Sequence, residues 1–136
     1  MKPLHWIGST QKDVKAFPDE VRSEVGFTIR LAQAGGKAVN AVPLVGFGSA
    51  KVLEVVIDDD GDTYRAIYTV KFAKAVYALH AFQKKSRRGI KTPQHELWLV
   101  RERLKVATAH YAENYEKAAR EGSKHDTARR HRQNGD

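Results

Sequence analysis

The stretch that most constrains the fold is KVLEVVID (51–58) followed by TYRAIYTV (63–70), with Asp59-Asp60-Gly61-Asp62 between them. β-Branched and aromatic residues suit a pleated surface, and Gly61 can take the positive φ that a tight hairpin turn requires. The segment therefore predicts an antiparallel hairpin. A third segment, VYALHAF (76–82), follows after the short link Lys71 to Ala75 and extends the hairpin into a three-stranded meander. Alternation in the central strand puts Tyr64, Ala66, Tyr68 and Val70 on one face and Arg65, Ile67 and Thr69 on the other.

The elements around the meander follow from punctuation and periodicity. Leu4 and Trp6 alternate with His5 and Ile7 in a short first strand that ends at Gly8-Ser9. Ser9 is placed to cap a short helix reaching Phe17, and Pro18 stops it. Pro18 also opens a second helix, with Asp19 and Glu20 at the positive end of its dipole. Val21, Val25, Ile29 and Ala32, flanked by Phe27 and Leu31, form its buried stripe, and Gly35-Gly36 ends it. Residues 37–49 read as a Gly- and Pro-containing loop. Pro93 begins a long helix on which Leu97, Val100, Leu104, Ala107, Tyr111 and Tyr115 recur every three or four residues. The order predicts an α+β domain, a mostly antiparallel sheet with helices on one face and the other face open. Arg65 would then point away from the core. Residues 1–117 are expected to form this one domain, and residues 118–136 a basic, mobile tail.

With 24 Lys and Arg against 16 Asp and Glu the formal charge is +8, so polyanions are the natural partners. The absence of cysteine excludes disulfides and thiolate chemistry. No segment has the apolar run of a signal peptide or membrane span, and the chain reads as soluble and cytoplasmic. His5, His95, His110, His125 and His131 show no metal-ligand spacing, and the glycines of LVGFGS lack the lysine and helix of a phosphate loop. Neither metal nor cofactor is expected.

The charged residues that invite a function lie around the meander. Arg65, in a central strand, needs a counter-charge; Glu54 on the neighbouring strand can supply one while leaving guanidinium nitrogens for a phosphate. Lys84, Lys85, Arg87, Arg88 and Lys91 crowd the point where the last strand leaves the sheet. Such a run is either a solvated surface or a phosphate grip. His80, in the same strand, is either a proton carrier or a hydrogen-bonded structural residue.

The segments KPLHWIGS, FPDEVRSEVGFTIRLAQAGG, PLVGFGSAKVLEVV, DGDTYRAIYTV and YALHAFQKKSRRGIKTP resemble, in order and spacing, the phage-derived branch of the RelE/HigB toxins of bacterial toxin–antitoxin modules. The resemblance runs from about Lys2 to Glu116 and includes the YRxxY strand and the HxFxKKxxxxxxTP segment. It implies a RelE-like fold and a ribosome-dependent endoribonuclease that cleaves mRNA without a metal, held in check by an antitoxin that often carries a helix-turn-helix domain. It also implies catalytic roles for Arg65, Lys84 and Lys85, with Lys51 matching a family lysine; Lys84, Lys51 and His80 are the candidates for proton transfer, and Arg87, Arg88 and Lys91 for gripping RNA. The same fold hosts relatives that inhibit DNA gyrase without cutting RNA, which leaves a non-nucleolytic inhibitor or a plain RNA-binding module as alternatives.

Overall fold

A computed structural model describes residues 1–84 and 91–116. The elements are β1 (Leu4–Trp6), α1 (Thr10–Lys15), α2 (Asp19–Gln33), β2 (Ala41–Pro43), β3 (Val52–Asp59), β4 (Asp62–Thr69), β5 (Val76–Lys84) and α3 (Gln94–Tyr111), the last running on into a π-helical turn, Ala112–Glu116. The five strands form one sheet in the order β1-β5-β4-β3-β2. It is antiparallel except where β1 lies parallel to β5. The α+β class and the three-stranded meander therefore hold. The strand β2 is additional, since its residues fall in the stretch read as loop.

The hairpin turns on Asp60 and Gly61, whose φ values of 46° and 88° are both positive. That is the requirement of a two-residue type I′ turn, whose twist matches the strands it joins. Proline stands at the N-cap of both long helices, Pro18 for α2 and Pro93 for α3. On α2, Val21, Val25, Ile29 and Ala32 are buried as the periodicity requires, but Phe27 is 57% exposed and lies outside the stripe.

The helices do not share one face. Val14, Phe17, Val21 and Val25 of α1, α2 and their junction pack on Val55, Ile57, Tyr64 and Ala66. The other face, expected to be open, carries Ile67, Tyr77 and Leu79 against Val100, Ala107 and Tyr111 of α3 and its end. The physical reason is visible in β4: Ile67, between Ala66 and Tyr68, is itself 1% exposed, so both faces are apolar and both need cover. Arg65 shares the Ile67 face and is thereby enclosed rather than presented to solvent.

One irregularity sets the rest of the geometry. Tyr68 is opposite Ala78 but Ile67 is opposite His80, so Leu79 is an extra residue in β5. A bulge of this kind offsets the alternation by one position. Tyr77 and Leu79 face α3, Ala78 faces α2, and past the bulge His80 faces α3 as well. Among the described residues no helix is long and apolar enough to cross a membrane. The tail expected over residues 118–136, and with it the C-terminal domain boundary, lies outside the described residues.

Candidate functional site

β3 and β4 place Glu54 and Arg65 diagonally, because Glu54 is opposite Ile67 and Arg65 opposite Val56. The pair closes with Arg65 Nη1 donating to Glu54 Oε1 at 3.0 Å, with 4% and 7% of the two side chains exposed. Thr92, just before α3, completes a triad: its hydroxyl donates to Glu54 Oε2 at 2.7 Å and accepts from Arg65 Nη1 at 3.2 Å. The cross-strand ion pair is present. The open position expected for Arg65 is not, because α3 and the residues leading into it lie over this face. Arg65 meets Glu54 and Thr92, and through Thr92 it fixes the chain at the end of the basic segment.

Lys84 is two residues beyond Phe82, the partner of Arg65, and on the same face. Its ammonium donates to the carbonyl of Lys91 at 3.2 Å, which ties together the two ends of the basic run. Lys85, Arg87 and Arg88 lie outside the described residues. Lys51 is elsewhere: it precedes Val52, which is opposite Thr69, whereas Lys84 is opposite Thr63. Six residues of extended strand separate these positions, about 20 Å at the usual rise. Lys51 and Lys84 cannot share one phosphate.

His80 is 5% exposed and bonded at both nitrogens. Arg103 Nη1 lies 2.8 Å from Nδ1, and Glu96 Oε2 is in short contact with Nε2. A guanidinium can only donate, so Nδ1 accepts and the ring proton resides on Nε2, directed at Glu96. This is the hydrogen-bonded structural histidine of the two readings. The network continues outward on both sides. Arg103 Nη2 donates to Ser9 Oγ at 3.1 Å, and Ser9 donates to Asp13 Oδ2 at 2.7 Å. Ser9 thus occupies the N-cap position of α1, but its hydroxyl serves the network instead of capping a backbone N–H. Gly8 has φ +60°, and a Cβ there would stand 2.8 Å from Arg103 Nε, so both backbone and space call for glycine.

On the other side Glu96 Oε1 lies 2.8 Å from His95 Nε2, and the His95 side chain is 76% exposed. An exposed imidazole is thereby held by a carboxylate that is 14% exposed and itself held by His80. One ring nitrogen of His95 is bound and the side chain is largely exposed, the arrangement of an oriented acid–base group. Glu96 and His80 also line an open cleft of about 610 Å³ at the end of β5, with Phe17, Tyr64, Phe82 and Leu99 as its apolar walls. β1 pairs with β5 only as far as Ala78; beyond it Arg103 Nη1 donates to the Leu79 carbonyl at 3.1 Å.

Glu96, Arg103, Thr92 and His95 belong to the site without being among the residues expected to carry a function. An acidic residue in the first turn of α3 was a signal for Glu96, since it complements the helix dipole. Nothing local marked the others, which become neighbours of β5 and β3 only through α3 packing.

Residues 12–105 match the family described as phage derived protein Gp49-like (DUF891). No curated protein and no solved structure matches the chain.

Proposed function

Given that the chain belongs to the phage-derived Gp49-like family, we propose that it is the toxin of a toxin–antitoxin module and an endoribonuclease that cleaves mRNA on the translating ribosome. The observation that carries the reading is the exposed His95, held by Glu96, a carboxylate that lines a cleft at the end of β5, the strand that runs out into Lys84. Cleavage of RNA at its own 2′-hydroxyl requires a group to take that proton, a positive field at the phosphate, and a proton for the departing 5′-oxygen. His95 takes the proton through Nδ1, the ring nitrogen that Glu96 does not hold, as the 2′-oxygen attacks phosphorus. Lys84, with Lys85 next to it in sequence, stabilises the growing charge and protonates the 5′-oxygen. The products are a 2′,3′-cyclic phosphate and a 5′-hydroxyl.

Arg65 is a positioning residue in this scheme: with Glu54 and Thr92 it holds the segment that carries Lys91 and leads into α3. His80 orients Glu96. Arg87, Arg88 and Lys91 grip RNA backbone. Lys51 lies outside the scheme because of its distance from Lys84. The partner is an antitoxin encoded beside the toxin, with carboxylates complementary to a basic surface.

Cleavage is tested by mapping new 5′ ends in a purified translation reaction, with and without ribosomes. The wild-type chain should cut coding RNA only on ribosomes, and His95→Ala and Lys84→Ala should each lower the rate by about 10²-fold or more. Full activity in both variants would overturn the assignment of roles. Intact RNA accompanied by loss of DNA supercoiling would replace the nuclease by the gyrase inhibitor.

A further inference from the structure

At the end of the sheet remote from Lys84, a second cationic surface is assembled from three parts of the chain. Lys71 follows β4, Arg101 and Lys105 lie on α3, and these three rim a groove of about 560 Å³ floored by Leu104, Ala109 and Ala112. Lys51 adjoins it, because its carbonyl accepts from Val70 N at 3.2 Å, immediately before Lys71. Among the described residues no carboxylate lines the groove. On α3, Glu102 is paired with Lys105 at 2.7 Å in an exposed ion pair that a stronger anion can displace, and Glu113 follows Ala112 in the π-helical turn. The guanidinium of Arg101 stands 5.3 Å over the ring of Phe47, which limits its orientations.

The helix adds an aromatic to this row. At 100° per residue Trp98, Arg101, Lys105, Ala109 and Ala112 fall on one flank of α3, a strip about 21 Å long. Trp98 is 58% exposed on that flank, so its indole is accessible from solvent. Cations in line with an exposed indole match what single-stranded nucleic acid offers, phosphates at regular intervals and bases with flat faces. An acidic protein segment would use the charges and the apolar floor, but it has no comparable use for the indole at the end of the row.

We propose that this flank of α3, with Lys51 and Lys71, binds the backbone of single-stranded RNA, with Trp98 as a base-stacking platform. Its cationic groove shares no lining residue with the cleft at the end of β5, and the binding does not depend on the cleavage chemistry assigned there.

The test is fluorescence anisotropy of the full chain with a labelled single-stranded RNA of about 16 nucleotides. Lys71→Glu/Arg101→Glu/Lys105→Glu is compared with Lys12→Glu/Lys15→Glu/Arg30→Glu, which changes net charge equally on α1 and α2. The first triple should lose roughly tenfold or more in affinity at moderate salt and lower the slope of log K on log salt by about 2, while the second changes little. Trp98→Ala should weaken binding with the salt slope unaltered. Thermal melts confirm that each variant is folded. Equal losses in the two triples would overturn the proposal, since net charge alone would then explain binding. So would a first triple that binds RNA normally but no longer binds labelled polyglutamate, which would assign the flank to an acidic protein. Because the titration contains no ribosomes and reads no cleavage, an inactive chain that still shows the contrast refutes the nuclease reading alone.

Discussion

Thr92 and Glu54, 38 residues apart in the chain, are joined at 2.7 Å by a hydroxyl that donates to a buried carboxylate. This bond, with Arg65 on the same carboxylate, anchors the beginning of α3 to the middle of the sheet. The triad contains two charges removed from water, which are costly apart and compensated together.

Removing one member should therefore be worse than removing both. Glu54→Ala leaves a buried guanidinium without its carboxylate and should destabilise the fold by about 3–5 kcal/mol. The double variant Glu54→Leu/Arg65→Met, apolar and of similar volume, should recover most of that loss, and urea unfolding measures both. If the double variant is as unstable as the single one, the pair contributes more than mutual compensation. In the nuclease reading the double variant, though folded, should still cleave poorly.

The His80 tautomer can be read directly. Long-range ¹H–¹⁵N spectra should show a neutral ring with its proton on Nε2, as the Arg103 contact demands. Glu96→Gln should change the His95 and His80 signals together, because one carboxylate joins them. A His80 signal indifferent to Glu96→Gln would break the proposed chain from His80 to His95.

A pH dependence follows from His5 at the opposite end of β5. Its Nε2 lies 2.6 Å from Tyr115 Oη, and its ring centroid 4.5 Å from that of His110, which is bonded to Tyr77 Oη at 2.7 Å. Burial, and then the charge of His110, hold the His5 pKa below the ordinary 6.5. The unfolded chain thus binds the proton more readily than the folded one, so stability is full above pH 6.5 and declines as pH falls from there through the folded value. Melting curves between neutral and mildly acid pH should show this decline, and His5→Phe should flatten it. An unchanged slope in that variant would place the effect elsewhere.

What could be read from the sequence was what neighbouring residues decide. The Asp60-Gly61 turn, the proline-opened helices and the apolar stripe of α3 depend on local backbone preferences and helical spacing, and all are present. What escaped was settled by contacts between distant segments. Nothing near Leu79 announces an extra residue in β5, and without it the face of His80 could not be assigned. The apolar character of Ile67 implied a second covered face, yet only the packing of α3 shows that Arg65 is enclosed with it. The Glu54 pairing was foreseeable because register follows from the hairpin. Its third member, Thr92, was not. The match over residues 12–105 covers β3, β4, β5 and most of α3, so the triad and the His95–Glu96–His80 chain lie within the family's span.

Leu79 divides β5 into two halves of opposite parity. A one-codon deletion before it or after it would have very different meanings from the same loss in the connection between β2 and β3. In the distal half, every inward side chain would trade places with its outward neighbour, so that Ala81 would stand where Arg103 now finds an imidazole. Length in this strand is therefore as much a part of the chemistry as composition.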